Sequence, residues 1–284
     1  MKVLSVDKLT KKYSSFKLDD VSFELEPGRI TGFIGRNGAG KTTTLKSLLN
    51  FVHPDSGKIE FFGLPFAQNE LEIKKRIGFV SGGIDYYSKK KLKTITSVTS
   101  CFYEKWDTKS YKKYTNMFSL DENKTPEQLS AGMRVKYSLA LALSHNAQLL
   151  ILDEPTSGLD PVSRDDLLDV FLSLSDEGKT ILFSTHITSD LDKCADDIIY
   201  IKDGRIIASE ACADFVGKYL VAEYASAPSV LAGSLIGEKR AKFGYSALIE
   251  KSSYENYKTE INNTVIKDAD LESIMIHLDK EETL

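Results

Sequence analysis

Gly35-Arg36-Asn37-Gly38-Ala39-Gly40-Lys41-Thr42 fits the spacing G-x-x-x-x-G-K-[ST]. It lies between an apolar strand candidate, "RITGFIG", and a helical pattern, "KTTTLKSLLNFV". Glycines let the backbone turn so that successive N–H groups, up to Thr43, converge on one anion. The helix beginning near Lys41 aims its positive end at the same point. Charge-assisted hydrogen bonds are worth about 1.5–3 kcal/mol each and the helix dipole only about 0.3–1 kcal/mol, so the amides and Lys41 dominate the grip on a phosphate. Thr42 supplies a hydroxyl for Mg²⁺. A glycine-rich turn without a ligand would share the composition but not the strand–loop–helix setting.

Two carboxylates follow much later, in "LLILDEP". Asp153 falls at the C-terminal end of a buried strand, where ligands of open α/β sheets collect, and suits the outer sphere of Mg²⁺. Glu154 is placed to orient or deprotonate an attacking water. His186 closes the next strand, "ILFSTH", where it could bond a terminal phosphate and sense its presence. His53, His145 and His277 lack such a setting and read as structural or surface residues. A second anion device is "LSAGM", with Ser130 and Gly132 where a helix should begin; Ser130 also reads as a plain N-cap.

The elements that must position these residues alternate. "VLSV" and "LDDVSFELEPG" read as antiparallel strands, while "QLLILD" and "TILFST" read as strands buried on both faces of a parallel sheet. Helical patterns follow each, which predicts an α/β core. "IIYIKDGRII" predicts a hairpin around Asp203-Gly204. From about residue 84 to 146 the chain turns lysine- and tyrosine-rich and predicts a helical subdomain inserted between strands. After about Ala213, "KYLVAEYA" and "KFGYSALIEKS" read as strands and "DLESIMIHLDKEE" as a helix. The division expected is therefore 1–213 and a small α+β appendage, 214–284.

The 284 residues, 42% hydrophobic and 27% charged, suit one domain plus an accessory piece. A formal net charge of −4 gives no footprint for nucleic acid, so none is expected as a partner. Cys101, Cys194 and Cys212 are odd in number and scattered, which predicts a reducing compartment without disulfides. The N-terminus lacks the apolar core of a secretory signal, and no run approaches the ~18 apolar residues of a membrane span. Any work at a membrane would need a separate spanning protein.

In order, "YSSFKLDDVSFELEPGRITGFIGRNGAGKTTTLKSLL", "LSAGM", "LLILDEPTSGLDP" and "STH" resemble the ATP-binding subunit of an ABC transporter. The likeness covers the first two-thirds to three-quarters of the chain. "FYEKWD" and "FSTHITSDLDKCAD" are similar to the bacterial subgroup serving drug, peptide or antibiotic-response exporters. The resemblance implies a phosphate-loop NTPase core with a mixed sheet, an antiparallel β subdomain and an inserted helical subdomain. It implies ATP and Mg²⁺ as cofactors, ATP hydrolysis, a separate transmembrane permease and a second ATP-binding subunit, identical or related. It places the chain in the cytoplasm at the inner face of the membrane, contacting it through the permease. Tyr13 would stack on adenine, and Asp160 would sit at the subunit interface. Ser130 and Gly132 would cap ATP held by the partner's loop.

Two departures stand out. The signature has Ala131 and Met133 where the family has glycine and glutamine, which implies weaker capping. After "RIGFV" the glutamine or acidic residue usual in the family is replaced by Gly82, so that water completes the metal shell, Asp85 reaches back, or coupling runs through backbone motion. "SKKKLK" reads as a solvated face, or else as a contact for lipid headgroups or an acidic segment of the permease. Residues 214–284 resemble the short terminal extensions of exporter ATPases. Two other readings compete: a soluble ABC-type ATPase, and a regulatory subunit for which ATP is structural.

Overall fold

The computed structural model describes residues 2–81, 87–226, 231, 233–242, 244–257 and 264–280. The chain divides into two units, Met1–Ser209 and Glu210–Leu284. In chain order the first begins with β1 (Leu4–Lys12), β2 (Lys17–Leu25), β3 (Ile30–Ile34), α1 (Lys41–Leu48), β4 (Ser56–Phe61), β5 (Leu64–Pro65), α2 (Phe66–Lys74) and β6 (Ile77–Ser81). There follow α3 (Leu92–Ser100), α4 (Thr108–Met117), α5 (Ala131–Ser144), β7 (Leu149–Asp153), α6 (Pro161–Asp176), β8 (Thr180–Thr185), α7 (Thr188–Cys194), β9 (Asp197–Lys202) and β10 (Arg205–Ala211).

β1, β2, β4 and β5 form an antiparallel sheet in the order β2-β1-β4-β5. The other sheet runs β10-β9-β3-β8-β7-β6, and its β9, β3, β8, β7 and β6 are parallel. β3, β7 and β8 are buried along nearly their whole length. That burial is why they read as continuous apolar runs rather than alternating ones. The β9–β10 turn holds Asp203 at φ 47° and Gly204 at φ 77°, the paired positive values of a tight hairpin. Leu45, Leu48, Phe33, Ile151, Leu182 and Ile201 lie in one apolar core that joins both sheets to α1. The α/β core, antiparallel subdomain and helices between sheet strands are the architecture expected from the sequence.

Between β6 and β7 lie α3, α4 and α5. Thr96 Oγ1 is 2.8 Å from both Tyr111 and Tyr137 hydroxyls, so three helices share one buried polar node. Tyr137 also donates to the Leu92 carbonyl at 3.0 Å. At the end of α5, His145 is buried, stacked on Tyr103 at 3.9 Å between ring centroids. Burial pushes its imidazole down to about 4. The folded chain therefore keeps His145 neutral where the unfolded chain, with an ordinary value near 6.5, already binds a proton. Stability is present above pH ~6.5 and is lost as pH falls toward ~4, by about 2 kcal/mol between pH 7 and 5. Urea unfolding of His145→Phe at both pH values should show a loss smaller by about that amount than in the natural chain.

The second unit contains α8 (Cys212–Gly217), β11 (Tyr219–Tyr224), β12 (Leu235–Arg240), β13 (Tyr245–Glu250), α9 (Lys251–Tyr257), β14 (Thr264–Asp268) and α10 (Leu271–Lys280). Its antiparallel sheet runs β12-β13-β11-β14. Leu220, Ala222, Tyr224, Ala247 and Ile249 face one side with Tyr254 and Tyr257 of α9. α10 buries Leu271, Ile274 and His277. β12 has no sequence signal because it is bent: its pairing with β13 shifts register after Ile236, and Gly237 sits at φ 59°. A Cβ at Gly237 would lie 1.7 Å from the His277 carbonyl oxygen.

Candidate nucleotide site

The phosphate loop leaves β3 and enters α1 through glycines whose backbone demands them. Gly38 has φ 88° and Gly40, the residue preceding the helix, φ 115°. At Gly35 an added Cβ would lie 2.3 Å from the Ile201 carbonyl oxygen. Ala39 is buried, and its carbonyl accepts the Gly204 N–H at 3.0 Å, which ties the loop to the β9–β10 turn. The amides of Lys41, Thr42 and Thr43 open α1 without intrahelical acceptors, as at any helix start.

A cleft of about 350 Å³ lies over this loop. Arg36, Asn37, Gly38, Gly40, Lys41, Thr42 and Thr43 line one side; Glu154, Ser157 and His186 line the other. Lys41 is buried, donating to the carbonyls of Gly35 at 2.7 Å and Arg36 at 3.2 Å. Its Nζ lies 3.6 Å from Glu154 Oε1, and burial pushes the ammonium below its ordinary range. A cation held this way gains on meeting a phosphate, which replaces neutral carbonyl acceptors with an anionic one.

Three hydroxyl and carboxylate groups meet at the sheet edge. Thr42 Oγ1 donates to Asp153 Oδ1 at 3.1 Å, and Ser184 Oγ donates to the same oxygen at 2.7 Å. Ser184 Oγ also accepts the Glu154 N–H at 3.0 Å, so one buried serine fixes both carboxylate residues. Its only sequence signal is a small hydroxyl near the end of a strand whose centre is apolar. Glu154 stands at φ 51°, uncommon for a non-glycine residue and placed where the strand ends. Its Oε2 is 2.7 Å from His186 Nδ1. An imidazole donating from Nδ1 leaves Nε2 an acceptor, so bonding a phosphate through Nε2 requires the imidazolium or a turn of the ring away from Glu154.

The remaining sequence candidates lie elsewhere. Ser130 N-caps α5, its Oγ accepting the Met133 N–H at 3.2 Å, and is exposed. Ala131 is already helical, so alanine in place of glycine meets no conformational cost there. Gly132 is buried; a Cβ on it would lie 3.5 Å from Leu159 Cδ2. Asp160 N-caps α6, accepting from Val162 and Ser163 amides at 3.1 and 3.0 Å. The Ser163 hydroxyl and those amides hold its carboxyl below the usual range. None of the three lines the cleft.

Tyr13 is half exposed, its ring 6.5 Å from Phe16. Phe16, which sequence reasoning passed over, lines the cleft itself: a Cβ at Gly40 would lie 2.9 Å from its Cζ. Gly82 and Asp85 lie outside the described residues. Lys89, Lys90, Lys91 and Lys93 are exposed, with Lys93 donating to Asn123 at 3.1 Å. All three cysteines are free, and no described helix is long and apolar enough to cross a membrane.

Known proteins place this geometry. The family model for the ABC transporter matches residues 18–157, from β2 to the loop after Glu154. The bacitracin transport ATP-binding protein BcrA of Bacillus licheniformis is 34% identical over 209 residues, 72% of this chain and 68% of that protein. The chain belongs to the ABC transporter ATP-binding proteins. A Nod factor export ATP-binding protein of Burkholderia thailandensis is also 34% identical, over 74% of this chain and 72% of its own length. A solved ATP-binding subunit of an ABC transporter superposes with a TM-score of 0.67 at 26% identity, covering 75% of this chain and 91% of that one. Hydrolysis of ATP is thus the activity of this subunit.

Proposed function

We propose that this chain powers an exporter, in which two ATP-binding subunits close head to tail on Mg-ATP and drive a separate membrane-spanning permease. The observation that carries the reading is the separation of two anion devices on one chain. Lys41 lies in the cleft, while Ser130 opens an exposed helix N-terminus outside it. One chain then offers the loop for one ATP and the cap for another. Asp160 and exposed Val162 begin the neighbouring helix and would meet the partner subunit.

The donor set fits Mg²⁺: a hydroxyl, Thr42, beside a carboxylate, Asp153, leaves phosphate oxygens and water to fill the shell. When bound, the ion would neutralise charge on the phosphate oxygens. Glu154 would hold and orient the attacking water, His186 would contact the terminal phosphate, and Phe16 with Tyr13 would flank the base.

The permease would rest on apolar surface of this unit. Phe51 is exposed, packed edge-on against Phe79 with the Lys74 ammonium 5.3 Å from its ring, and Leu71 is exposed one turn before Lys74. Such a patch suits a membrane-embedded partner, with the subunit at the cytoplasmic face. Outward transport is inferred from a relative named for Nod factor export. Purifying tagged chain from detergent-solubilised membranes of its own cells tests the assembly. A multi-span protein should copurify in fixed proportion; recovery only from the soluble fraction, without such a partner, would contradict it.

A further inference from the structure

Beside the cleft lies a buried polar pair that does not line it. Asp190, in the first turn of α7, is 1% exposed, and Thr156, two residues after Glu154, is 0% exposed. The Thr156 hydroxyl donates to Asp190 Oδ2 at 2.6 Å. The other carboxylate oxygen faces Arg164 of α6, whose Nε is 3.8 Å from Oδ1. That Nε is buried and makes no hydrogen bond. Burial pushes the Asp190 carboxyl up, against the pull of the Thr156 hydroxyl and Arg164. Lys193, also on α7, is taken by Asp165.

A buried carboxylate with one oxygen bonded and the other short of its cation is costly unless it organises something. Its bonds join three segments that each carry part of the site. Thr156 belongs to the loop leaving Glu154, α7 follows directly on His186, and Arg164 rides on the helix capped by Asp160. We infer that Asp190 is a positioning residue: through Thr156 it sets Glu154 against His186, and through Arg164 it transmits movement of the Asp160 helix to that pair. Arg164 Nε needs to move only about 1 Å closer to reach hydrogen-bond distance of Oδ1. Closure of a partner subunit on Asp160 and Val162 would supply that shift. The inference rests on the proposed dimer for its source of movement, and on Glu154 and His186 acting together.

The test is steady-state phosphate release by the full chain carrying Asp190→Ala, Asp190→Asn, Thr156→Val, Thr156→Ser or Thr156→Val/Asp190→Ala. Asp190→Ala and Thr156→Val should each lower kcat at least tenfold with KM for ATP within twofold. Thr156→Ser keeps the hydroxyl and should stay near the natural rate. The double variant should be no slower than the slower single one, as for two ends of one bond. Asp190→Asn retains an acceptor for Thr156 but loses the charge facing Arg164, and should fall between. A kcat within twofold of natural in Thr156→Val, a raised KM with kcat unchanged, or losses that multiply in the double variant would overturn the inference. Should Asp190→Ala fail to fold, Thr156→Val against Thr156→Ser decides it, since these differ from the natural residue by one group. Glu154→Gln in the same assay separates the failures: if it too retains full rate, the site reading is at fault rather than Asp190.

Discussion

Glu154→Gln should slow phosphate release by about 10²–10⁴-fold, the range that a positioned general base contributes. The substitution keeps shape and one acceptor but removes the charge that, in the proposed role, would draw a proton from water. In the structure that carboxylate is held on both oxygens, by His186 at 2.7 Å and by Lys41 at 3.6 Å. A phosphate would draw Lys41 away and free Oε1 for water. ATP affinity should remain within about threefold, because glutamine also relieves Lys41 of an anion competing with the phosphate. Single-turnover phosphate release and equilibrium binding of ATP, measured on one preparation, check the two halves. A rate within tenfold of natural would assign the proton elsewhere.

Lys41→Ala acts on the other quantity. It removes a buried ammonium poised beneath the cleft. With charge-assisted bonds worth about 1.5–3 kcal/mol each, loss of even one contact raises the dissociation constant for ATP about 10–100-fold. The fold should suffer little, because relief of a desolvated ammonium offsets the lost bonds to the loop carbonyls. Calorimetric titration with a slowly hydrolysed ATP analogue, together with a melting curve, checks both. Unchanged affinity would mean that the amides alone hold the phosphates.

What was legible in the sequence was local. The phosphate loop announces itself because its glycines answer to backbone positions such as φ 88° at Gly38 and φ 115° at Gly40. β3, β7 and β8 are buried throughout, so their apolar runs are unbroken. What escaped depends on long-range contact. Phe16 reaches the cleft by packing over Gly40, Ser184 gains its role only when β8 lies beside β7, and Asp190 only when α7 meets the loop after Glu154. β12 escaped for the opposite reason: a bulge at Gly237 breaks the period of two that strand reading relies on.

In the proposed dimer ATP is held between the Lys41 loop of one chain and the Ser130 helix of another. That arrangement can be read most directly by cross-linking. In a Glu154→Gln chain with exposed Cys101 changed to serine, Asn37→Cys marks the cleft and Ala131→Cys marks the start of α5; Cys194 and Cys212 are buried. With Mg-ATP and a short bis-maleimide, the account predicts a covalent pair of chains that fails to form without nucleotide or in the additional presence of Lys41→Ala. Chains that bind ATP to saturation yet stay uncoupled, or couple only within themselves, would contradict it.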